Sequence, residues 1–255
     1  MPQKWVPLES DPAILTQYSQ ALGLPPSLAF HDVYSISDPD LLSFVPRPVH
    51  ALLLVFPVTN TYEDYRMQQD KGKDLFMGED PVSGDIVWFR QTIGNACGTM
   101  GVIHSVFNGE VASQLGIFYF ENLLTVEPKS PFADILEKAK QMDTPDRASL
   151  LENSSELESA HTSFSQQGQT TAPSAEESVE THYVALVKHV NPKTGKTMLY
   201  ELDGRRMGPV ERVELPSGED LLGPTALKVV EEFMKRESES GKQDFSLAAL
   251  APSLD

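Results

Sequence analysis

The chain has its only cysteine in the stretch Gln91-Thr-Ile-Gly-Asn-Ala-Cys97-Gly-Thr-Met-Gly101. We predict that a helix begins at Cys97, where unpaired backbone N–H groups and the positive end of the helix dipole favour a reactive thiolate. Three glycines keep bulky side chains away from the sulfur, and Gln91 is placed to donate a hydrogen bond to an oxyanion. The pattern indicates a nucleophile, although an unpaired cysteine is more often a small buried apolar residue.

Length and composition, with 40% hydrophobic and 22% charged residues, fit either one large globular domain, spanning residues 1–255, or two small ones. Lys and Arg number 20 and Asp and Glu 37, so the net charge is 20 − 37 = −17, which disfavours nucleic acid and favours a basic partner. The longest apolar run, residues 49–58, is too short to span a bilayer. The first residues lack an apolar signal core, so we expect a cytoplasmic protein that also has access to the nucleus.

Cofactors and metals are not expected. The sequence contains no Cys-x-x-Cys or His-Glu-x-x-His motif and no phosphate-binding glycine loop, and its histidines are dispersed. We also expect a monomer.

Hydrophobic periodicity and capping signals predict a mixed α/β fold. A capped helix is expected from Asp11-Pro12 to Gly23, and others begin at Ser130-Pro131 and Thr144-Pro145. The predicted strands are 28–36, 51–58, 85–90, 182–190, 197–203, 210–215 and 245–250, and a further helix has its apolar face on residues 222–233. The strand at 51–58 is apolar on both faces, which is typical of a central strand.

Residues 152–180 are rich in Ser, Glu, Gln and Thr and show no hydrophobic periodicity, which predicts a mobile segment. Such a segment is either a linker between domains or a long loop, and long loops inside a domain tend to cover active sites.

A cysteine nucleophile requires a base, and the base requires an acceptor that orients it. The strands at 182–190 and 197–203 are joined by a turn at 191–195, which predicts an antiparallel hairpin. With the turn centred near Pro192 and Lys193, His182 is expected opposite Asp203, within one residue. His104 is about 10 Å from Cys97 along the predicted helix, too far for a direct bond.

The chain resembles the ubiquitin carboxyl-terminal hydrolases, especially their small single-domain members. The similarity covers nearly the whole chain and is most specific in four segments: residues 91–99, Tyr200-Glu-Leu-Asp-Gly-Arg205, Val45-Pro-Arg-Pro48 and Lys4-Trp-Val-Pro-Leu-Glu9. The resemblance implies a papain-like fold, with a central antiparallel sheet between helices, a knotted backbone and a crossover loop over the active site at 152–180.

The resemblance also implies functions for individual residues. Cys97 is the nucleophile, His182 the general base and acid, and Asp203 the orienting carboxylate, while Gln91 and the Cys97 N–H form the oxyanion hole. These catalytic roles agree with the assignment made from the residues alone. The resemblance adds three ubiquitin contacts, at Pro7, at Leu8 and at Asp32, the last as a partner for arginines of the ubiquitin tail.

Several alternatives stay open at the level of sequence. The substrate is ubiquitin or a ubiquitin-like modifier, and the chain is either a hydrolase or a noncatalytic ubiquitin-binding protein. A cysteine acyltransferase or a general papain-like protease would share the triad. The catalytic groups are aligned either in the free chain or only when ubiquitin binds.

Overall fold

The computed structural model describes residues 3–78, 85–115, 129–169, 173–177, 180–238 and 244–254. Its helices are α1 (Pro12–Leu22), α2 (Pro39–Leu42), α3 (Asn60–Asp70), α4 (Cys97–Val106), α5 (Gly109–Ala112), α6 (Pro131–Ala139), α7 (Thr144–Glu152), α8 (Ser155–Phe164) and α9 (Pro224–Ser238). Its strands are β1 (Leu28–Asp32), β2 (Ala51–Pro57), β3 (Thr181–Val190), β4 (Thr197–Leu202), β5 (Val210–Glu214) and β6 (Ser246–Pro252). None of the described helices is long and apolar enough to cross a bilayer.

The strands form one antiparallel sheet in the order β1-β6-β2-β3-β4-β5. Every residue of β2 is buried, and its side chains alternate between two hydrophobic clusters. Leu53 lies in the cluster that contains α4, whereas Leu52 and Leu54 lie in the cluster that contains α9. The predicted central sheet with helices on both faces is confirmed.

The predicted helix starts agree with the structure because local capping residues determine them. The Asp11 side chain accepts hydrogen bonds from the N–H groups of Ala13 and Ile14, at 2.8 and 3.1 Å, before Pro12 opens α1. Gly23, with φ of 115°, ends that helix in the left-handed conformation. Helices α6 and α7 likewise begin with a proline in the first turn.

The predicted strand at 85–90 is wrong. These residues form no strand in the structure, although 86–89 are buried. Side chains satisfy their backbone instead: Asn108 bonds both the N–H and the C=O of Val87 at 2.9 Å, and His104 Nε2 accepts from the Phe89 N–H at 3.0 Å. An extended, apolar segment thus lies in the core without a neighbouring strand.

The segment predicted to lack regular structure, 152–180, contains α8. Ser154 caps this helix, and Leu157 and His161 are buried one turn apart. Two buried positions among exposed polar residues are too few to produce a visible hydrophobic period. The prediction of a loop is therefore wrong for residues 155–164, and positions 170–172 and 178–179 lie outside the described residues. The knotted path stays a prediction.

The hairpin of β3 and β4 is present, but its register differs from the prediction. Val190 pairs with Thr197 and Ala185 with Leu202, so the turn is centred between Lys193 and Thr194. The shift arises because the Asn191 side chain accepts from the N–H groups of both Lys193 and Thr194. Asp203 therefore lies beyond the last pair.

Helix α4 packs closely against β2 and β3 at Gly101. A Cβ added there would lie 2.4 Å from Leu53 Cδ1 and 3.3 Å from Tyr183 Cβ. We expect Gly101→Val to lower the free energy of unfolding by about 2 kcal/mol, because the buried neighbours have to move. Urea unfolding measures this change. Thr162→Val on the exposed side of α8 is the control and should stay within about 0.5 kcal/mol of wild type; an equal loss in both variants would contradict the close packing.

Candidate active site

The nucleophile candidate, Cys97, is the first residue of α4, as predicted. Cys97 is 8% exposed, and the preceding residue, Ala96, provides no side-chain hydrogen bond to cap the helix. The N–H groups of the first helical turn have no carbonyl partner in the preceding turn. The sulfur thus lies beside donors that can stabilise negative charge.

The base candidate, His182, hydrogen-bonds one of its two predicted partners and lies near the other. Its Nε2 lies 2.7 Å from Asp203 Oδ1, and both residues are buried. The side chain of Cys97 is close enough to help raise the pKa of His182. The His182–Asp203 pair is therefore formed in the free chain, and the alignment of Cys97 with this pair stays a prediction.

This contact does not arise from the predicted strand pairing. The backbone partner of His182 on β2 is Phe56, and β3 and β4 no longer pair at this end. Asp203 follows β4 directly, and its side chain reaches the imidazole from the start of the next turn. The side chains meet where the strands diverge.

Three donors hold Asp203 in place. The Tyr62 hydroxyl donates to Oδ2, and the Arg205 N–H donates to Oδ1 at 2.8 Å. Trp88 Nε1 donates to the Asp203 carbonyl oxygen at 3.1 Å. Tyr62 is fully buried in the first turn of α3. The orienting carboxylate therefore has a fixed position and no spare freedom to rotate away from His182.

The buried pair keeps opposite charges. Burial by itself lowers the pKa of His182, but the charge and hydrogen bond of Asp203, together with the nearby Cys97, raise it to about 9. Burial by itself raises the pKa of Asp203, but His182, Tyr62 and the Arg205 N–H together lower it well below its usual range. An imidazolium next to a carboxylate is thus the stable form at neutral pH.

The turn after Asp203 is anchored by a buried ionic network. Arg206 is 1% exposed, donates two hydrogen bonds to Asp70 at 2.9 and 2.8 Å, and reaches Glu201 at 3.3 Å. Arg212 also donates to Glu201. Because removal of one buried charge leaves its partner unpaired, this network fixes the turn against α3 and β4.

Gln91 lies next to the same turn. Its backbone N–H donates to the Gly204 carbonyl at 2.8 Å, and a Cβ on Gly204 would lie 2.9 Å from Gln91 Cβ. Gln91 Nε2 donates to the Ile93 carbonyl at 3.0 Å, while its Oε1 is buried without a partner among the described residues. The amide is thus held by one of its two hydrogens, and the second hydrogen is available to a developing oxyanion.

Residues 3–9, here called the N-terminal strap, run along the loop before Cys97. The Trp5 N–H donates to the Gly94 carbonyl at 2.9 Å, and the Gly94 N–H donates to the Gln3 carbonyl at 2.8 Å. A Cβ on Gly98 would lie 3.1 Å from Leu8 Cβ, so the strap touches the first turn of α4.

The three predicted ubiquitin contacts have different environments. Leu8 is 4% exposed and belongs to the core, so its side chain offers ubiquitin little surface in this conformation. Pro7 is half-buried on the strap. Asp32 ends the edge strand β1, and burial together with the nearby Asp11 raises its pKa. Asp32 and Pro7 keep some accessible surface.

Residues 173–177 cross the loop before Cys97. Asn95 Nδ2 donates to the carbonyls of Ala175 and Glu177, at 3.0 and 3.3 Å. Asn95 has φ of 60°, a left-handed conformation that asparagine tolerates better than most residues. This part of the expected crossover segment is therefore hydrogen-bonded to Asn95, the residue two positions before Cys97.

Two other histidines have structural surroundings. His104 is fully buried, and burial lowers its pKa to about 4. His189 pairs with Asp85, 2.9 Å away, at the opposite end of β3 from His182. Within the described ranges, no three His, Cys, Asp or Glu side chains come together as metal ligands.

Comparison with known proteins decides the family. The model of ubiquitin carboxyl-terminal hydrolase, family 1, matches residues 5–235. This chain belongs to that family. The ubiquitin carboxyl-terminal hydrolase of Aplysia californica is 37% identical over 242 residues, which cover 93% of this chain and 98% of that protein. The Drosophila melanogaster ubiquitin carboxyl-terminal hydrolase is 36% identical over 235 residues, covering 91% and 92% respectively.

A solved structure of the family has the same fold. The Trichinella spiralis UCH37 catalytic domain, bound to ubiquitin vinyl methyl ester, superposes with a TM-score of 0.69 at 21% identity, covering 98% of this chain and 95% of that one. The predicted papain-like α/β fold of the ubiquitin carboxyl-terminal hydrolases is therefore confirmed. The family is one of thiol-dependent peptidases, so this member is a cysteine-type hydrolase.

Sequence reasoning missed Tyr62, Asn95 and the buried surroundings of Leu8. Tyr62 reaches Asp203 only through the packing of α3, and no local pattern marks that contact. The left-handed conformation of Asn95, between Gly94 and Ala96, could have been suspected from the Gly-Asn pair, which is typical of turns.

Proposed function

We propose that this protein is a deubiquitinating enzyme that hydrolyses amide, ester and thioester bonds at the C-terminal glycine of ubiquitin, releasing small adducts or short extensions. The observation that carries the proposal is the buried hydrogen bond between His182 and Asp203, next to Cys97 at the start of α4. Family membership supports the choice of ubiquitin as substrate.

The proposed reaction uses these groups in two stages. The Cys97 thiolate attacks the carbonyl of the terminal glycine, and the oxyanion is held by the Gln91 amide and the Cys97 N–H. The His182 imidazolium then donates its proton to the leaving group, and neutral His182 takes a proton from water, which hydrolyses the thioester. Asp203 keeps the imidazole oriented and stabilises its charged form.

We also propose that the enzyme acts as a monomer in the cytoplasm, with the nucleus as a second compartment. A catalytic thiolate has to stay reduced, which favours a reducing compartment. The net charge of −17 suits a basic ubiquitin tail.

Size-exclusion chromatography coupled to light scattering measures the mass of the protein in solution. A dimer would contradict the proposed monomer.

The function is tested with a fluorophore attached to the C-terminus of ubiquitin and, in parallel, to that of a ubiquitin-like modifier. We expect turnover of the ubiquitin substrate at a higher kcat/KM and no degradation of casein. Preferential turnover of the modifier would assign the other substrate. Tight ubiquitin binding without turnover would mean a noncatalytic binding protein, and casein cleavage would mean a general protease.

The tie between Asn95 and residues 173–177 is expected to limit the size of the leaving group. Asn95→Gly keeps the left-handed backbone accessible and removes both side-chain bonds, each worth about 1 kcal/mol. We expect about a tenfold rise in kcat/KM for ubiquitin carrying a folded extension, relative to the fluorophore substrate.

The matched control for Asn95→Gly is Lys4→Ala. It removes an exposed ion pair with Glu176, 3.6 Å away, and the packing of the Lys4 stem beside Gly94, and it should change the same ratio less than about twofold. An unchanged ratio in Asn95→Gly would show that the side-chain tie does not restrict the leaving group.

A further inference from the structure

Three buried polar side chains and a backbone carbonyl form a series of hydrogen bonds near the nucleophile. Tyr18 Oη lies 3.0 Å from Thr99 Oγ1, which lies 2.7 Å from His161 Nδ1, and His161 Nε2 lies 2.6 Å from the carbonyl oxygen of Val6. Tyr18 and Thr99 are fully buried, and His161 is 1% exposed. These hydrogen bonds connect α1, α4, α8 and the N-terminal strap. None of the four groups belongs to the proposed catalytic triad.

The chemistry of the last acceptor fixes the direction of every bond. The Val6 carbonyl can only accept, so His161 Nε2 carries a proton. Burial lowers the pKa of His161 to about 4, so the ring is neutral and Nδ1 has a lone pair. Thr99 therefore donates to Nδ1 and accepts from Tyr18. Only one histidine tautomer satisfies all four groups.

This series of hydrogen bonds joins the first turn of α4 to the strap. Thr99 is two residues after Cys97 in the first turn of α4. Val6 belongs to the strap, where the Leu8 carbonyl accepts from the Tyr183 hydroxyl at 2.9 Å. The Trp5 ring also packs on the His161 ring, with centroids 4.4 Å apart. One side chain of α8 thus bridges the strap and the first turn of α4.

We propose that His161 is a positioning residue that holds the strap for the ubiquitin tail through its Nε2–H bond to the Val6 carbonyl. The proposal rests on the proposed function, because the strap carries Pro7, an expected ubiquitin contact. The strap lies beside the nucleophile, since Leu8 contacts Gly98, the residue after Cys97. Loss of the Val6 bond loosens the strap around Pro7 and weakens ubiquitin binding. The backbone bonds to Gly94 and the bond between Leu8 and Tyr183 still hold the rest of the strap near α4.

Two substitutions at His161 separate its two hydrogen bonds. His161→Gln places an amide N–H near the position of Nε2 and preserves the bond to Val6. His161→Asn places an amide oxygen near the position of Nδ1 and preserves only the bond from Thr99. Thr162→Ala, exposed on the same helix, is the control. Two quantities are to be measured for each variant and for wild type. The first is the affinity for ubiquitin, with Cys97→Ala added to prevent turnover, and the second is the rate of alkylation by iodoacetamide, with Cys97 present.

We expect His161→Asn to weaken ubiquitin binding about tenfold, with an alkylation rate within about twofold of wild type. His161→Gln should bind within about threefold of wild type. Equal affinity in His161→Asn and wild type overturns the proposal, and so does a matching loss of affinity and alkylation, which means general disruption.

A measurement on the wild-type protein keeps the proposal testable if a variant fails to fold. Imidazole 15N shifts at pH 7 should show neutral His161 with its proton on Nε2, and the other tautomer or an imidazolium overturns the proposal. This readout is independent of turnover. A wild-type protein that fails to bind or hydrolyse ubiquitin, yet has this tautomer, refutes the proposed function and the role of the strap but not the bond network.

Discussion

Cys97→Ser should lower kcat/KM for the ubiquitin–fluorophore substrate by at least about 10⁴-fold, the largest effect of any single change. The serine hydroxyl occupies nearly the same space, so the protein should stay folded. A hydroxyl is far harder to ionise than a thiol, and the imidazolium of His182 is poorly suited to remove its proton. Steady-state kinetics over several enzyme concentrations measures the loss.

Two controls accompany Cys97→Ser. Its thermal unfolding midpoint and its affinity for ubiquitin should stay close to those of wild type, because serine is nearly the same size as cysteine. The chain has one cysteine, so iodoacetamide should modify the wild type once per molecule and abolish its activity. Activity that survives complete alkylation would rule out Cys97 as nucleophile.

Asp203→Asn is expected to have the second largest effect, a fall in kcat/KM of about 10²- to 10⁴-fold. The Asp203 charge and hydrogen bond raise the pKa of His182 to about 9, against the opposing effect of burial. Without the carboxylate, this pKa falls. His182 has to be protonated to supply the leaving group, so wild-type activity should decline as the pH rises through about 9. In the variant, the same decline should move at least about one pH unit lower.

The measurement for Asp203→Asn is kcat/KM from pH 5 to 10 for both proteins. Tyr62→Phe is the matched control, because it removes a donor to Asp203 Oδ2 and keeps the carboxylate charge. It should cost less than about tenfold and leave the alkaline limb near that of wild type. If the fall in kcat/KM at high pH occurs at the same pH in Asp203→Asn as in wild type, the ionisation of His182 does not control that fall.

Elements defined by local signals were predictable from the sequence. Helix α1 has its own caps, Asp11 and Gly23, and β2 is apolar on both faces, so neither needs distant residues to be recognised. The segment 85–90 was misread because its backbone partners are the side chains of His104 and Asn108, about twenty residues away. The apolar run indicates burial correctly, but it does not reveal what satisfies the backbone.

In the candidate site, too, some residues are predictable from the sequence, and others are not because their contacts come from distant parts of the fold. The contact between His182 and Asp203 is predictable because a catalytic base requires an orienting acceptor, even though the predicted register of the hairpin is wrong. Tyr62 and His161 escaped prediction because each acts through a side chain from another part of the fold. A lone tyrosine or histidine on a helix has no local signature of such a contact.

The C-terminal end of helix α4, far from the sulfur, matters for any attempt to graft this site into another protein. Cys97 is the first residue of the helix, whereas His104, about 10 Å away by the helical rise, and Asn108, just after the helix, hold the segment that leads to Gln91. The helix therefore fixes the spacing between the proposed nucleophile and the proposed oxyanion donor. A graft of this catalytic centre into another scaffold has to carry the helix together with residues 85–91, because copying the triad alone would leave the glutamine without a support.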